Sequence, residues 1–336
     1  MASPNVSFDR IPSSVRKPGK YFEFNTKLAK RSLPTNLQRV LLVGQRLESG
    51  TVAALTPVNV FSDDEAATYF GRGSIAHRMS AAAIEANRYA QITVVAVDDA
   101  EAGVAAKRVL TTSGTAATPG ALYLEIGRDR VEVAIPSGMK QGELATALSD
   151  EILKHPDLPV TAAASGNAVT LTAKNKGTFG DAIKLRAHVE QAKNVKVSVQ
   201  PALFGGLNDP DLAPAFAAVF GASYEIYAIP YAAPAALTAL RAHVEALGHP
   251  LEQRDAIGVA GFVGTLATAT TRVANVNSGL ITLAWYNKSR SMPCEIAAGY
   301  AAVIASEEDP ARPLNTLEIA GLDRVASSRK WRYITE

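Results

Sequence analysis

The feature that most constrains this chain is an alternation of short, unbroken apolar runs with helix-length stretches. Val40-Leu-Leu-Val43 and Ile92-Thr-Val-Val-Ala-Val97 are apolar at nearly every position rather than at every second one, and 225–229, 257–263 and 280–286 read as further strands. Such runs bury both faces of a strand, which is the situation of a parallel sheet covered by helices. Helix-like patterns at 62–70, 74–89, 209–220, 234–247, 265–275 and 293–306 lie between or after them. They are long enough to supply right-handed crossovers, and Pro293 suits a first helical position. The expected fold class is α/β, a mostly parallel sheet flanked by helices.

The grammar changes between 111 and 199. Runs at 121–126 and 131–135 around Gly127-Arg-Asp129 read as a hairpin, 140–154 as a helix, and 168–173, 182–189 and 195–199 as strands. The flanks Thr111-Thr-Ser-Gly-Thr115 and Gly205-Gly-Leu-Asn208 are turn-rich, so this reads as an inserted α+β domain. At the start, Pro4, Pro12, Pro18 and Gly19 interrupt any helix, and 19–24 favours a short strand. Residues 1–30 therefore read as an extended arm. Its Val6, Phe8, Ile11, Val15, Tyr21, Phe22 and Phe24 are too many apolar groups for a solvated tail. They pack either on a partner or on their own domain, and the residues alone leave both open. The expected division is 1–30 arm, 31–110 first part of the α/β domain, 111–199 inserted domain, 200–322 second part, and 323–336 basic tail.

A length of 336 residues fits two or three domains. The net charge of +2 is uneven: residues 1–31 hold seven Lys/Arg against Asp9 and Glu23, and 323–336 hold four against two acids, so the body between is acidic. That is a poor nucleic-acid footprint, and basic ends point instead to acidic protein surfaces. The single Cys294 allows no internal disulfide and is read as packing in a reducing compartment. The uncharged stretch 256–271 is shorter than the roughly 18 residues of a spanning helix and is broken by Gly258, Gly261 and Gly264, so no membrane span is expected. Residues 1–31 lack the apolar core of a signal peptide, and a product made in the cytoplasm is expected.

Gly71-Arg-Gly73-Ser-Ile-Ala76 fits a loose dinucleotide pattern, which raises a nucleotide-binding α/β enzyme as an alternative. A true fingerprint follows a strand, whereas 62–70 reads as a capped helix that Gly71 stops. No phosphate-loop or zinc-helix signature occurs, and His243 and His249 are spaced off a common helical face. The pairs Asp63-Asp64 and Asp98-Asp99 and the run Glu307-Glu308-Asp309 sit at expected element ends, where solvated capping explains them. No catalytic, cofactor-binding or metal-ligating residue is assigned.

Several segments resemble the contractile phage tail sheath proteins of the Mu-like type. They are residues 7–24, Arg39-Val-Leu-Leu-Val-Gly-Gln-Arg46, Phe70-Gly-Arg-Gly-Ser-Ile75, Phe204-Gly-Gly-Leu-Asn-Asp-Pro-Asp-Leu212 and Asp309-Pro-Ala-Arg-Pro-Leu-Asn-Thr-Leu317. The resemblance implies a virion structural subunit, made in the bacterial host cytoplasm, that polymerises with itself around a tail tube and contracts from a baseplate to drive the tube into a host envelope. It implies no enzyme and no cofactor, although the family's α/β domain is similar in topology to subtilisin. Gly264-Thr-Leu-Ala267 echoes that protease's nucleophile segment with Leu266 in the nucleophile's place. The resemblance assigns Phe8, Ile11, Val15, Tyr21, Phe22 and Phe24 to subunit interaction through the arm. Residues 323–336 do not resemble the family's continuation into a tube-facing C-terminal domain. A fragment, a frameshifted product or a short family member is therefore expected, and a non-propagating decoy is a further alternative.

Overall fold

The computed structural model describes residues 38–307 and 319–322. β1 (Arg39–Gln45) is followed by the short β2 (Pro57–Asn59), α1 (Asp63–Phe70), α2 (Ile75–Ala86) and β3 (Gln91–Val97). After an excursion described below come α4 (Ala213–Val219), β11 (Ile226–Ile229), α5 (Pro234–Leu247), β12 (Ile257–Val263), α6 (Leu266–Val276), β13 (Ile281–Tyr286) and α7 (Pro293–Ile304). Their six strands form one sheet in the order β13-β12-β11-β1-β3-β2, parallel throughout except for β2. Val40 to Val43 are wholly buried, as the unbroken apolar run requires. α7 is apolar on nearly every side and lies against α2 and β12. A helix of that composition belongs inside the molecule.

The excursion holds β4 (Lys107–Ser113), the hairpin β5 (Gly120–Ile126) and β6 (Asp129–Ile135), α3 (Gln141–Leu153), β7 (Val160–Ser165), β8 (Ala168–Ala173), a 3₁₀ turn at Thr178–Ala182, β9 (Leu185–Glu190) and β10 (Lys196–Ser198). They build two antiparallel sheets, β10-β4-β8-β7 and β6-β5-β9. α3 turns Leu144, Leu148 and Ile152 inward between them.

The sequence reading differs from this structure at particular places. β2, β4 and β7 were not foreseen. β4 alternates exposed and buried positions and ends in Thr-Thr-Ser, so it reads as turn; the 110/111 boundary falls inside it. The strand expected at 182–189 begins only at Leu185, because the chain first closes a 3₁₀ turn. The helix expected at 209–220 begins at Ala213, because Asp209 is drawn off to accept bonds from Thr178 N at 2.7 Å and Thr178 Oγ1 at 2.6 Å. The arm and its strand at 19–24, and the basic tail, lie outside the described residues.

Candidate functional site

Residues 71–76 form the junction between α1 and α2. Ser62 Oγ caps α1 by accepting from Glu65 N at 3.2 Å, and Gly71, at φ +86°, ends it with its amide on Ala67 O. Gly73, at φ +80°, sits where an added Cβ would lie 2.3 Å from Leu158 O, so this glycine serves a close approach of the chain to itself. The first amides of α2 are committed: His77 N donates to Ser74 Oγ at 3.0 Å and Ile75 N to Asn175 Oδ1 at 3.0 Å. Gly73 N donates to His77 Nδ1 at 3.0 Å, which makes Nε2 the protonated nitrogen; it faces Asp63 Oδ1 at 3.0 Å. The hydrogen bond from His77 holds the Asp63 carboxyl below the usual carboxylate range. A helix start whose donors are satisfied internally, preceded by a helix rather than a strand, does not favour the nucleotide reading of Gly71 to Ala76.

The sheet order reverses at a crevice between β1 and β11. The chain passes from β1 to β3 on one side and places β11 on the other, so the carboxyl ends of β1 and β11 flank the position at which open α/β sheets take ligands. Here that position is built over. Tyr231 Oη donates to Gln45 Oε1 at 2.5 Å, and Gln45 Nε2 donates to Asp99 Oδ1 at 2.6 Å and Lys176 O at 2.9 Å. Asn175 Nδ2 donates to Asp99 Oδ1 at 3.0 Å, and Lys176 N to Asp99 Oδ2 at 2.9 Å. Phe179 lies edge-on to the Tyr231 ring at 6.4 Å. Burial pushes the Tyr231 hydroxyl well above its usual pKa, so it stays a donor. Asp99, expected as a solvated cap, is instead the hub that ties Asn175 and Lys176 to Gln45 of the sheet, while Asp98 holds Arg46 at 2.6 Å.

The third constellation was not foreseen. Arg78 of α2 reaches Glu295 of α7, with Nε to Oε1 at 2.9 Å and Nη2 to Oε1 at 2.5 Å, and its Nη1 meets Asp129 Oδ2 at 2.8 Å. Arg128, in the β5–β6 turn, bonds Glu85 at 2.8 Å and the Gly321 carbonyl and lies 3.6 Å from Glu295. Glu295 is fully buried and Arg78 nearly so. Burial opposes the charge on Arg78, but Glu295 and then Asp129 outweigh it and raise its pKa; burial raises that of Asp129. A polar cleft of about 350 Å³ lined by Arg78, Asp129, Arg130, Lys154, His155 and Asp157 opens beside the cluster. Its signal in the sequence is one arginine and one glutamate, each within an otherwise largely apolar helix.

Leu266 opens α6 behind the Thr265 cap and offers no nucleophile. His243 is buried against Phe216 and Tyr227, remote in role from the exposed His249. Among the described residues no group of three or more His, Cys, Asp or Glu side chains could hold a metal ion. No helix there is long and apolar enough to cross a membrane. Cys294 is buried and free. The arm residues Phe8, Ile11, Val15, Tyr21, Phe22 and Phe24 lie outside the described residues.

Residues 205–333 match the family model for the central domain of phage tail sheath proteins. The chain is 33% identical over 320 residues to the Mu-like prophage FluMu tail sheath protein of Haemophilus influenzae, an alignment covering 93% of this chain. The chain belongs to the phage tail sheath family. It spans 65% of the length of that sheath relative. Two solved sheath tail proteins also match, each at 13% identity. The one from Desulfitobacterium hafniense has a TM-score of 0.35, with 86% of this chain and 62% of that one covered. The one from Listeria innocua has a TM-score of 0.33, with 80% and 56% covered. In this sheath protein the α2 amides of Ile75 and His77 and the side chains of Gln45, Asp99 and Tyr231 in the crevice are bonded within the chain.

Proposed function

We propose that this chain is a structural, non-enzymatic subunit of a contractile phage tail sheath, polymerising with itself around a tail tube and contracting to drive the tube into the host envelope. The observation that carries the reading is the identity to the Haemophilus tail sheath protein over 93% of the chain. The tail tube and the baseplate are the further partners, the virion tail is the place of action, and synthesis is in the host cytoplasm. Residues 107–198 act as an inserted module on an α/β body of subtilisin-like topology. Phe8, Ile11, Val15, Tyr21, Phe22 and Phe24 of the arm join neighbouring subunits, since an extended apolar segment can add a strand to a neighbour's sheet.

Sedimentation velocity over a wide concentration range, with electron microscopy of any fast fraction, tests the reading. Tubes or rings are expected, and deletion of residues 1–30 is expected to abolish them. A chain that stays monomeric at every concentration, and that also fails to enter or cap polymers of a longer sheath subunit, overturns it. Entry or capping without self-assembly identifies the decoy form.

A further inference from the structure

His243 projects from α5 into an aromatic cage. Its ring stacks on Phe216 of α4 at 4.8 Å and 14°, and meets Tyr227 of β11 edge-on at 4.8 Å and Phe220 at 6.0 Å. The residue is 8% exposed, and Nε2 has no hydrogen-bond partner among the described residues. The nearby cation is Arg254, whose Nη1 donates to Phe220 O at 2.5 Å and Ala222 O at 3.0 Å and whose Nη2 donates to Glu252 at 2.6 Å. The other ionisable groups around the cage give the ring no counter-charge. Tyr227 is pushed up to about 12 by burial and stays neutral, Tyr224 packs on Tyr227, and Glu225 is engaged with Arg39. On α5 itself Arg241 pairs with Glu245 at 2.6 Å. Burial first, and Arg254 second, lower the His243 pKa to about 4.

An imidazole in this setting must become hydrated to accept a proton, and the cheapest wall of the cage to move is α4. That helix has seven residues, its first amide donates to Asp211 Oδ1 at 3.0 Å while Leu212 offers no side-chain cap, and it packs on α5 and β3 with Ala215, Phe216 and Val219 buried. A helix so short has little stability apart from its packing. We infer that α4 is an acid-released element: protonation of His243 detaches it from α5 and β3 and uncovers Phe216 and Phe220.

Opening takes up one proton per His243, so it is favoured as pH falls from the free-histidine value of 6.5 to about 4 and gains nothing further below that. Amide hydrogen exchange on the full chain, corrected for intrinsic rates, reads this directly. Protection in α4 is expected to fall by up to about tenfold per pH unit across that window, about 300-fold in all, while α7 keeps its protection. His243→Phe is expected to abolish the pH dependence of α4. Arg254→Gln, which keeps the ring but also frees Phe220 O and Ala222 O at the end of α4, is expected to lower α4 protection at every pH and to bring the pH-dependent loss to its plateau at a higher pH and a smaller total. The inference is overturned if α4 stays protected down to pH 4, if α4 and α7 lose protection together, if His243→Phe follows the wild-type course, or if Arg254→Gln leaves the plateau where it was.

Discussion

Glu295→Ala tests whether the charge cluster holds the subunit together. Glu295 has no exposed surface; its Oε1 takes two bonds from Arg78, at 2.9 and 2.5 Å, and its Oε2 takes the Met292 amide at the start of α7 at 2.9 Å. Truncation leaves a buried guanidinium with Asp129 alone, at 2.8 Å, and frees an amide at a helix N-terminus. Breaking a buried ion pair costs about 3–5 kcal/mol and losing a cap bond about 1 kcal/mol. Because Asp129 still faces Arg78, the expected total is about 3–5 kcal/mol rather than the sum of the upper values. Arg78→Met/Glu295→Met removes both charges together and is expected to cost less than Glu295→Ala alone, because replacing a buried pair by apolar groups is often near neutral. Urea denaturation followed by circular dichroism, at a concentration where the protein is monomeric, measures both. A loss under about 1 kcal/mol for Glu295→Ala, or additivity of Arg78→Met and Glu295→Met, refutes the reasoning.

Tyr231→Phe leaves the buried Gln45 Oε1 without its donor and should cost about 1–3 kcal/mol by the same denaturation assay. Gly73→Ala meets Leu158 O and a φ of +80°, whereas Gly138→Ala, at φ +86°, has open space; thermal unfolding should show the first as clearly more damaging, and equal losses would contradict the close-approach argument. Asp63→Asn should lower stability at pH 7 by less than about 1 kcal/mol, since the carboxylate is half exposed. The depressed Asp63 pKa makes that contribution present above about pH 3.8 and lost as pH falls below it, so the variant's acid limb should be flatter. NAD, NADP and ATP should give no thermal shift, because the α2 amides and the β1/β11 crevice are occupied by the chain itself; a clear stabilisation would reopen the nucleotide reading.

The parallel sheet was legible because its strands are continuous apolar runs, and α5 and β12 have the limits their sequences suggest. Gly71 was legible as a helix stop because Ser62 and Gly71 bracket one capped helix. What escaped were elements stabilised by their neighbours. β2 has three residues, β7 is Val-Thr-Ala-Ala-Ala-Ser, and β4 buries little beyond Leu110 and Thr112. None has a pattern strong enough to declare a strand without the partners that pair with it.

By itself the sequence determined the α/β grammar and the family through its recurring segments. Those rest on local periodicity and on residue identity, which a chain carries whether or not it is folded. Only the tertiary structure decided what the polar residues do. Arg78 and Glu295 are 217 positions apart, and Gln45 and Tyr231 are 186 apart. Each pair is bonded because the helices and strand ends that bear it are brought together by packing, and no spacing along the chain encodes that proximity. The same holds for His243, which a sequence shows as one of five histidines and the fold shows as the one stacked on Phe216 and edge-on to Tyr227.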